Sequence, residues 1–77
     1  MAIVVKYFAR LREQLGREEE HLEAEGLHTV SEVWHRVSGG QPLPPNVLMA
    51  VNCEYAQANG NVRDGDEVAF FPPVTGG

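Results

Sequence analysis

Hydrophobic and polar positions change their period several times along the chain, and each change marks an element. Residues 2–8 alternate, with Ile3, Val5 and Tyr7 on one face and Val4, Lys6 and Phe8 on the other. Their β-branched and aromatic side chains predict a largely buried strand. From 9 to 15 the chain switches to helix formers with Leu11 and Leu15 four apart, and Gly16 follows. A short helix is predicted there, closed by a glycine that takes the left-handed conformation at little cost. Residues 18–25 set Leu22 and Ala24 on one face against glutamates on the other, the pattern of a strand buried on one side. The strongest helical signal starts at Thr29, where Thr29-x-x-Glu32 forms a capping box and Val30, Val33, Trp34 and Val37 recur at i, i+3, i+4 and i+7. Gly39, Gly40, Pro42, Pro44 and Pro45 end that helix and predict a loop.

Residues 47–52 predict a third strand and 54–58 a weaker edge strand, before turn signals at Asn59-Gly60 and Asp64-Gly65. Residues 67–71 form the last strand, which Pro72 and Pro73 stop because proline brings no N–H to a ladder. The order predicts an α+β fold: a mixed sheet of four to five strands, one main helix across it and a short extra helix. This pattern resembles the β-grasp of ubiquitin-like proteins. With no repeat and no linker, residues 1–77 are expected to form a single ubiquitin-like β-grasp domain with a flexible tail at 74–77.

Composition narrows the function classes. A domain of 77 residues buries only about 60% of its unfolded surface, so it has room for one core. Six basic against 11 acidic residues give a net charge of −5, which opposes binding to nucleic acid. The apolar runs at 3–5 and 68–71 fall far short of the roughly 20 residues of a spanning helix, so no membrane anchor is expected. Cys53 is the sole cysteine, and the chain opens on a strand pattern rather than a leader. A reducing, cytoplasmic location is therefore expected. The lone thiol reads as a small half-buried hydrophobe. His21, His28 and His35 are seven apart, but that spacing crosses a strand, a loop and a helix, and no metal site is expected.

The remaining chemistry lies in Val74-Thr75-Gly76-Gly77, behind the Pro72-Pro73 step. Without a Cβ, Gly76 and Gly77 pass narrow channels, and an extended 74–77 segment reaches about 13 Å. The expected working group is the carboxylate of Gly77, a poor electrophile that needs activation. Gly60-Asn61-Val62-Arg63-Asp64-Gly65 has no phosphate-loop lysine, so ATP would be used by a second protein.

The stretch Asp64-Gly65-Asp66-Glu67-Val68-Ala69-Phe70-Phe71-Pro72-Pro73-Val74-Thr75-Gly76-Gly77 resembles the end of molybdopterin synthase small subunits, the MoaD-like sulfur carriers. Val4-Val5-Lys6-Tyr7-Phe8-Ala9-Arg10-Leu11-Arg12-Glu13 and Ala50-Val51-Asn52 are similar to the same family, whereas 16–25 and 39–46 match only in character. The resemblance implies that an E1-like activating enzyme adenylates Gly77 and that a sulfur donor converts it to a thiocarboxylate. Gly77, followed by Gly76, would then enter the large synthase subunit and give sulfur to cyclic pyranopterin monophosphate, with no permanently bound cofactor. Two small and two large subunits, a heterotetramer, are what the family implies. Phe70, Phe71, Pro72 and Pro73, with Val74 and Thr75, are the expected partner contacts, one of the two phenylalanines facing the core and the other the opposite side. A sulfur carrier of thiamine synthesis, a ubiquitin-like protein modifier and a plain binding module are the alternatives.

Overall fold

The computed structural model of the protein describes residues 2–72. Its elements are β1 (Ala2–Tyr7), α1 (Ala9–Leu15), β2 (Glu19–Glu23), α2 (Val30–Val37), β3 (Leu48–Val51), β4 (Glu54–Ala56) and β5 (Glu67–Phe71). They build one five-stranded sheet in the order β2-β1-β5-β3-β4. Only the β1–β5 pairing is parallel; the others are antiparallel. This is the predicted β-grasp, with the last strand inserted at the centre of the sheet.

The core follows from the alternation. Ile3, Val5 and Tyr7 of β1 and Val68 and Phe70 of β5 are at most 1% exposed. They pack against Val30, Val33, Trp34 and Val37, the apolar stripe of α2. That helix starts where the capping box requires. The Thr29 hydroxyl accepts from the Glu32 N–H at 3.2 Å. In return the Glu32 carboxylate accepts from the Thr29 and His28 N–H groups at 2.9 and 2.8 Å. These hydrogen bonds, first that from His28, hold the Glu32 carboxyl below the usual carboxylate range. Helix α1 ends at Gly16 with φ 71°, the predicted left-handed closure.

The β3–β4 hairpin turns on Asn52 and Cys53, both at positive φ (52° and 70°), as a two-residue turn that matches strand twist demands. Cys53 is consequently exposed, not the half-buried hydrophobe expected. Strand β2 departs from expectation at a second place. Alternation puts Glu20 on the same side as Leu22 and Ala24, opposite Glu19 and Glu23, and all three are half-buried. Its charge is tolerated because β2 is an edge strand and both carboxylate oxygens find donors. The Tyr7 hydroxyl donates at 2.7 Å, and Arg17 donates through Nη1 at 2.7 and 2.9 Å. Burial, then the hydrogen bond to Glu20, pushes the Tyr7 phenol far above its ordinary pKa.

Candidate functional site

The functional segment expected from the sequence issues from β5, the middle strand of the sheet. Pro73, Val74, Thr75, Gly76 and Gly77 lie outside the described residues, so the site described is the root that carries them. Central placement makes that root rigid: β5 is laddered to β1 on one side and to β3 on the other. Past β1, the Phe8 N–H still donates to the Phe70 carbonyl at 3.2 Å.

Phe70 is the anchor. Its ring stacks on Tyr7 with centroids 6.3 Å apart and meets Trp34 edge-on at 5.0 Å. The indole is held in turn by donating from Nε1 to the Pro42 carbonyl at 3.2 Å. With an exposure of 0%, Phe70 has no surface to offer a partner, which corrects its placement among the docking residues. The reason is parity: β5 alternates buried and half-buried from Glu67 to Phe71, and Phe70 shares the inward side with Val68.

Phe71 takes the opposite side, as alternation requires. It is half-buried, pairs with Leu48 across the β5–β3 ladder, and lies 5.9 Å from the Tyr55 ring. Ala69 pairs with Ala50 and Ala50 with Tyr55, so these side chains share one sheet face. Because Tyr7 pairs with Phe70, the next residue, Phe8, comes alongside Phe71. Phe8, Leu48 and Tyr55 are the large apolar residues left exposed among those described, at 48%, 37% and 78%. Sequence reasoning did not include them among the partner contacts. The alternation of β1 already set Phe8 on the outer face, but the cross-strand register that brings Leu48 and Tyr55 beside Phe71 has no local signal.

Toward β1 and β2 the same face carries charges around Val4. Lys6 pairs with Glu67 at 3.1 Å and with Glu19 at 4.0 Å, while His21 lies 3.0 Å from Glu19. The hydrogen bond to Glu67, then its charge, raises the Lys6 pKa. One face therefore carries an apolar half over β5, β3 and β4, next to the start of the Gly-Gly segment, and an ionic half over β1 and β2.

His21, His28 and His35 are all exposed and fall on β2, the loop before α2, and α2 itself. Among the described residues no group of three or more metal-ligating side chains converges. Asp64-Gly65-Asp66 is a turn: Asp66 accepts from the Arg63 N–H at 2.9 Å and from Asn52 Nδ2 at 3.0 Å.

The ThiS family matches residues 5–77 of the sequence. The chain belongs to the ThiS family. Among curated proteins it is similar to the molybdopterin synthase sulfur carrier subunit of Chlamydomonas reinhardtii, 36% identical and covering 100% of both chains. It is also similar to the protein of that name from Escherichia coli, 35% identical, covering 97% of this chain and 99% of the other. Among solved structures, SAMP1 of Haloferax volcanii, a small archaeal modifier protein, superposes with a TM-score of 0.81 at 27% identity and covers 100% of each chain. This ThiS-family chain thus shares its whole length, not just its last residues, with such carriers. No helix among the described residues is long and apolar enough to cross a membrane.

Proposed function

We propose that the protein is the sulfur-carrier subunit of a cytoplasmic molybdopterin synthase and that Gly77 bears the sulfur. The observation that carries this reading is the full-length identity of 36% and 35% to proteins of that name. The carboxylate of Gly77 attacks ATP bound to an E1-like activating enzyme, forming an acyl adenylate and releasing pyrophosphate. A sulfide equivalent from the sulfur donor then adds to the acyl carbon and expels AMP, leaving a thiocarboxylate. The first step replaces a poor leaving group, the carboxylate oxygen, by AMP, and the second uses that activation to exchange AMP for a nucleophilic sulfur, which is the logic of covalent activation. The charged tail, with Gly76 behind it to permit close backbone approach, enters the large subunit and transfers sulfur to cyclic pyranopterin monophosphate. Water then cleaves the acyl–sulfur bond, so the sulfur stays on the pterin and Gly77 returns as a carboxylate. ATP is consumed on the activating enzyme and no cofactor resides on this chain.

In this reading the rigid β5 root and the apolar half of the outer sheet face divide the labour. Phe71, Pro72 and Pro73, flanked by Phe8, Leu48 and Tyr55, dock on the large subunit, while Val74 and Thr75 line the entry. The assembly in this reading is two small with two large subunits. The curated relatives, at 36% and 35% identity, favour the pterin pathway over thiamine synthesis and, against the 27% identity of SAMP1, over protein modification.

The experiment is intact-mass analysis after incubation with the organism's activating enzyme, ATP and a sulfur donor. A gain equal to sulfur replacing oxygen at Gly77 is expected, and deletion of Gly77 abolishes it. An isopeptide-linked ladder without a thiocarboxylate would place the protein among the modifiers instead.

A further inference from the structure

Beside Pro72 a cleft opens between α1 and the loop that leads into β3. Leu11 and Val47, 5% and 9% exposed, lie at its base, Pro44 and Pro72 form its walls, and Arg10 and Gln14 line it from α1. We infer that this cleft is a docking site for a partly apolar, carboxylate-bearing segment of the enzyme that adenylates Gly77. The inference rests on the sulfur-carrier reading and adds to it a second surface, which meets the outer sheet face at Pro72.

Three features select that occupant. First, the walls are pre-formed: proline rings have a fixed backbone angle and little freedom to lose on binding, so an apolar segment is received at a low ordering cost. Second, the charge of the cleft is opposite to that of the molecule. The chain carries a net −5, yet the cleft is lined by a guanidinium and no carboxylate. Among the described residues Lys6 pairs with Glu67 and Glu19 and Arg17 with Glu20, whereas Arg10, like Arg12, Arg36 and Arg63, enters no ion pair, and of those four only Arg10 lines this cleft. An arginine fork in an apolar frame fits a carboxylate in particular, because it donates two parallel hydrogen bonds to it. Third, position ties the cleft to a partner that takes the tail, and of the two such partners in the carrier reading the large subunit is already assigned the outer sheet face, which leaves this cleft to the adenylating enzyme. Pro72 is five residues from Gly77, at most about 18 Å of extended chain. An enzyme that holds the carboxyl group of Gly77 beside ATP therefore has the rim of its active site within reach of Arg10.

The test uses the full chain and the adenylating enzyme of the same organism. Calorimetry gives the affinity, and ATP–pyrophosphate exchange gives KM and kcat for the chain as substrate. Arg10→Glu is expected to weaken binding at least about tenfold, by setting like charges against each other, and to raise KM while kcat stays within about twofold. Asn46→Trp, at an exposed position lining the cleft, fills it without changing charge and should weaken binding similarly. Arg36→Glu on α2, outside the cleft, is the charge control and should bind within about twofold of wild type. Circular dichroism should give unchanged melting for all three variants. Wild-type affinity in both Arg10→Glu and Asn46→Trp would overturn the proposal. So would wild-type self-association in sedimentation equilibrium that Arg10→Glu abolishes, since the occupant would then be the glutamate-rich β2 of a second copy. Absence of any pyrophosphate exchange with the wild-type chain is a separate result, which refutes the carrier reading itself.

Discussion

Replacing each of the adjacent phenylalanines by leucine isolates what β5 does, because the chemistry removed is identical and only the side of the sheet differs. Phe70 is fully buried between Tyr7 and Trp34, two aromatic pairings at 6.3 and 5.0 Å. Truncating a buried Phe to Ala costs about 3–5 kcal/mol, and each aromatic pairing contributes about 0.5–1.5 kcal/mol beyond area burial. Leucine refills part of the space, so Phe70→Leu is expected to cost about 2 kcal/mol. Phe71 is half-buried with one tilted ring partner, Tyr55. Phe71→Leu should cost about 0.5 kcal/mol, the scale of a cross-strand pair on an open face. A chain of this length has about 4–12 kcal/mol of total stability, so both variants remain folded. Urea unfolding followed by circular dichroism reads the difference: with a slope of about 1 kcal/mol per molar, the midpoint falls about 2 M for Phe70→Leu and about 0.5 M for Phe71→Leu. Equal losses, or a larger loss at Phe71, would refute the assignment of inward and outward faces on β5 and with it the location of the docking surface.

Thr29→Ala removes the hydroxyl that accepts from Glu32 N–H and should lower stability by about 1 kcal/mol in the same urea assay, while Ser31→Ala, exposed one residue into α2, leaves it nearly unchanged. Tyr7 gives an alkaline signature: its folded pKa is raised, so the folded state keeps a proton that the unfolded chain releases near pH 10, and stability present below that pH falls as pH rises beyond it. Tyr7→Phe should flatten that decline when urea midpoints are measured from pH 8 to 11. Tyr55→Asp puts a charge into the most exposed part of the apolar half-face; it should leave melting within a few degrees of wild type yet weaken large-subunit binding by about tenfold or more, read by calorimetry.

Much of the fold is legible because its signals are local. The capping box at Thr29, the closing glycine at position 16 and the two-residue period of 67–71 each act over a few neighbours, and α1 and β5 appear with the expected bounds. Strand ends are less legible: β2 spans Glu19–Glu23 inside the expected 18–25, and β4 stops at Ala56 rather than 58. Edge strands fray where one ladder replaces two. Glu20 was misplaced because a run of glutamates looks uniformly solvated, while parity gives every second one to the core side. Its placement depends on Tyr7 and Arg17, partners that no periodicity reveals.

The α+β class, the capped helix, the strand behind Gly76-Gly77 and the family resemblance are legible in contiguous residues, since periodicity, breakers and terminal motifs are local properties. Long-range pairing and packing, by contrast, set β5 at the centre of the sheet, parallel to β1, put Phe70 in the core and Phe71 with Phe8, Leu48 and Tyr55 on the outer face, and bring Arg10, Pro44 and Pro72 to one cleft. Those are matters of strand order and register, set by pairings between segments up to about sixty residues apart in sequence, and a one-residue shift of register on β5 would exchange Phe70 and Phe71 between the core and the outer face.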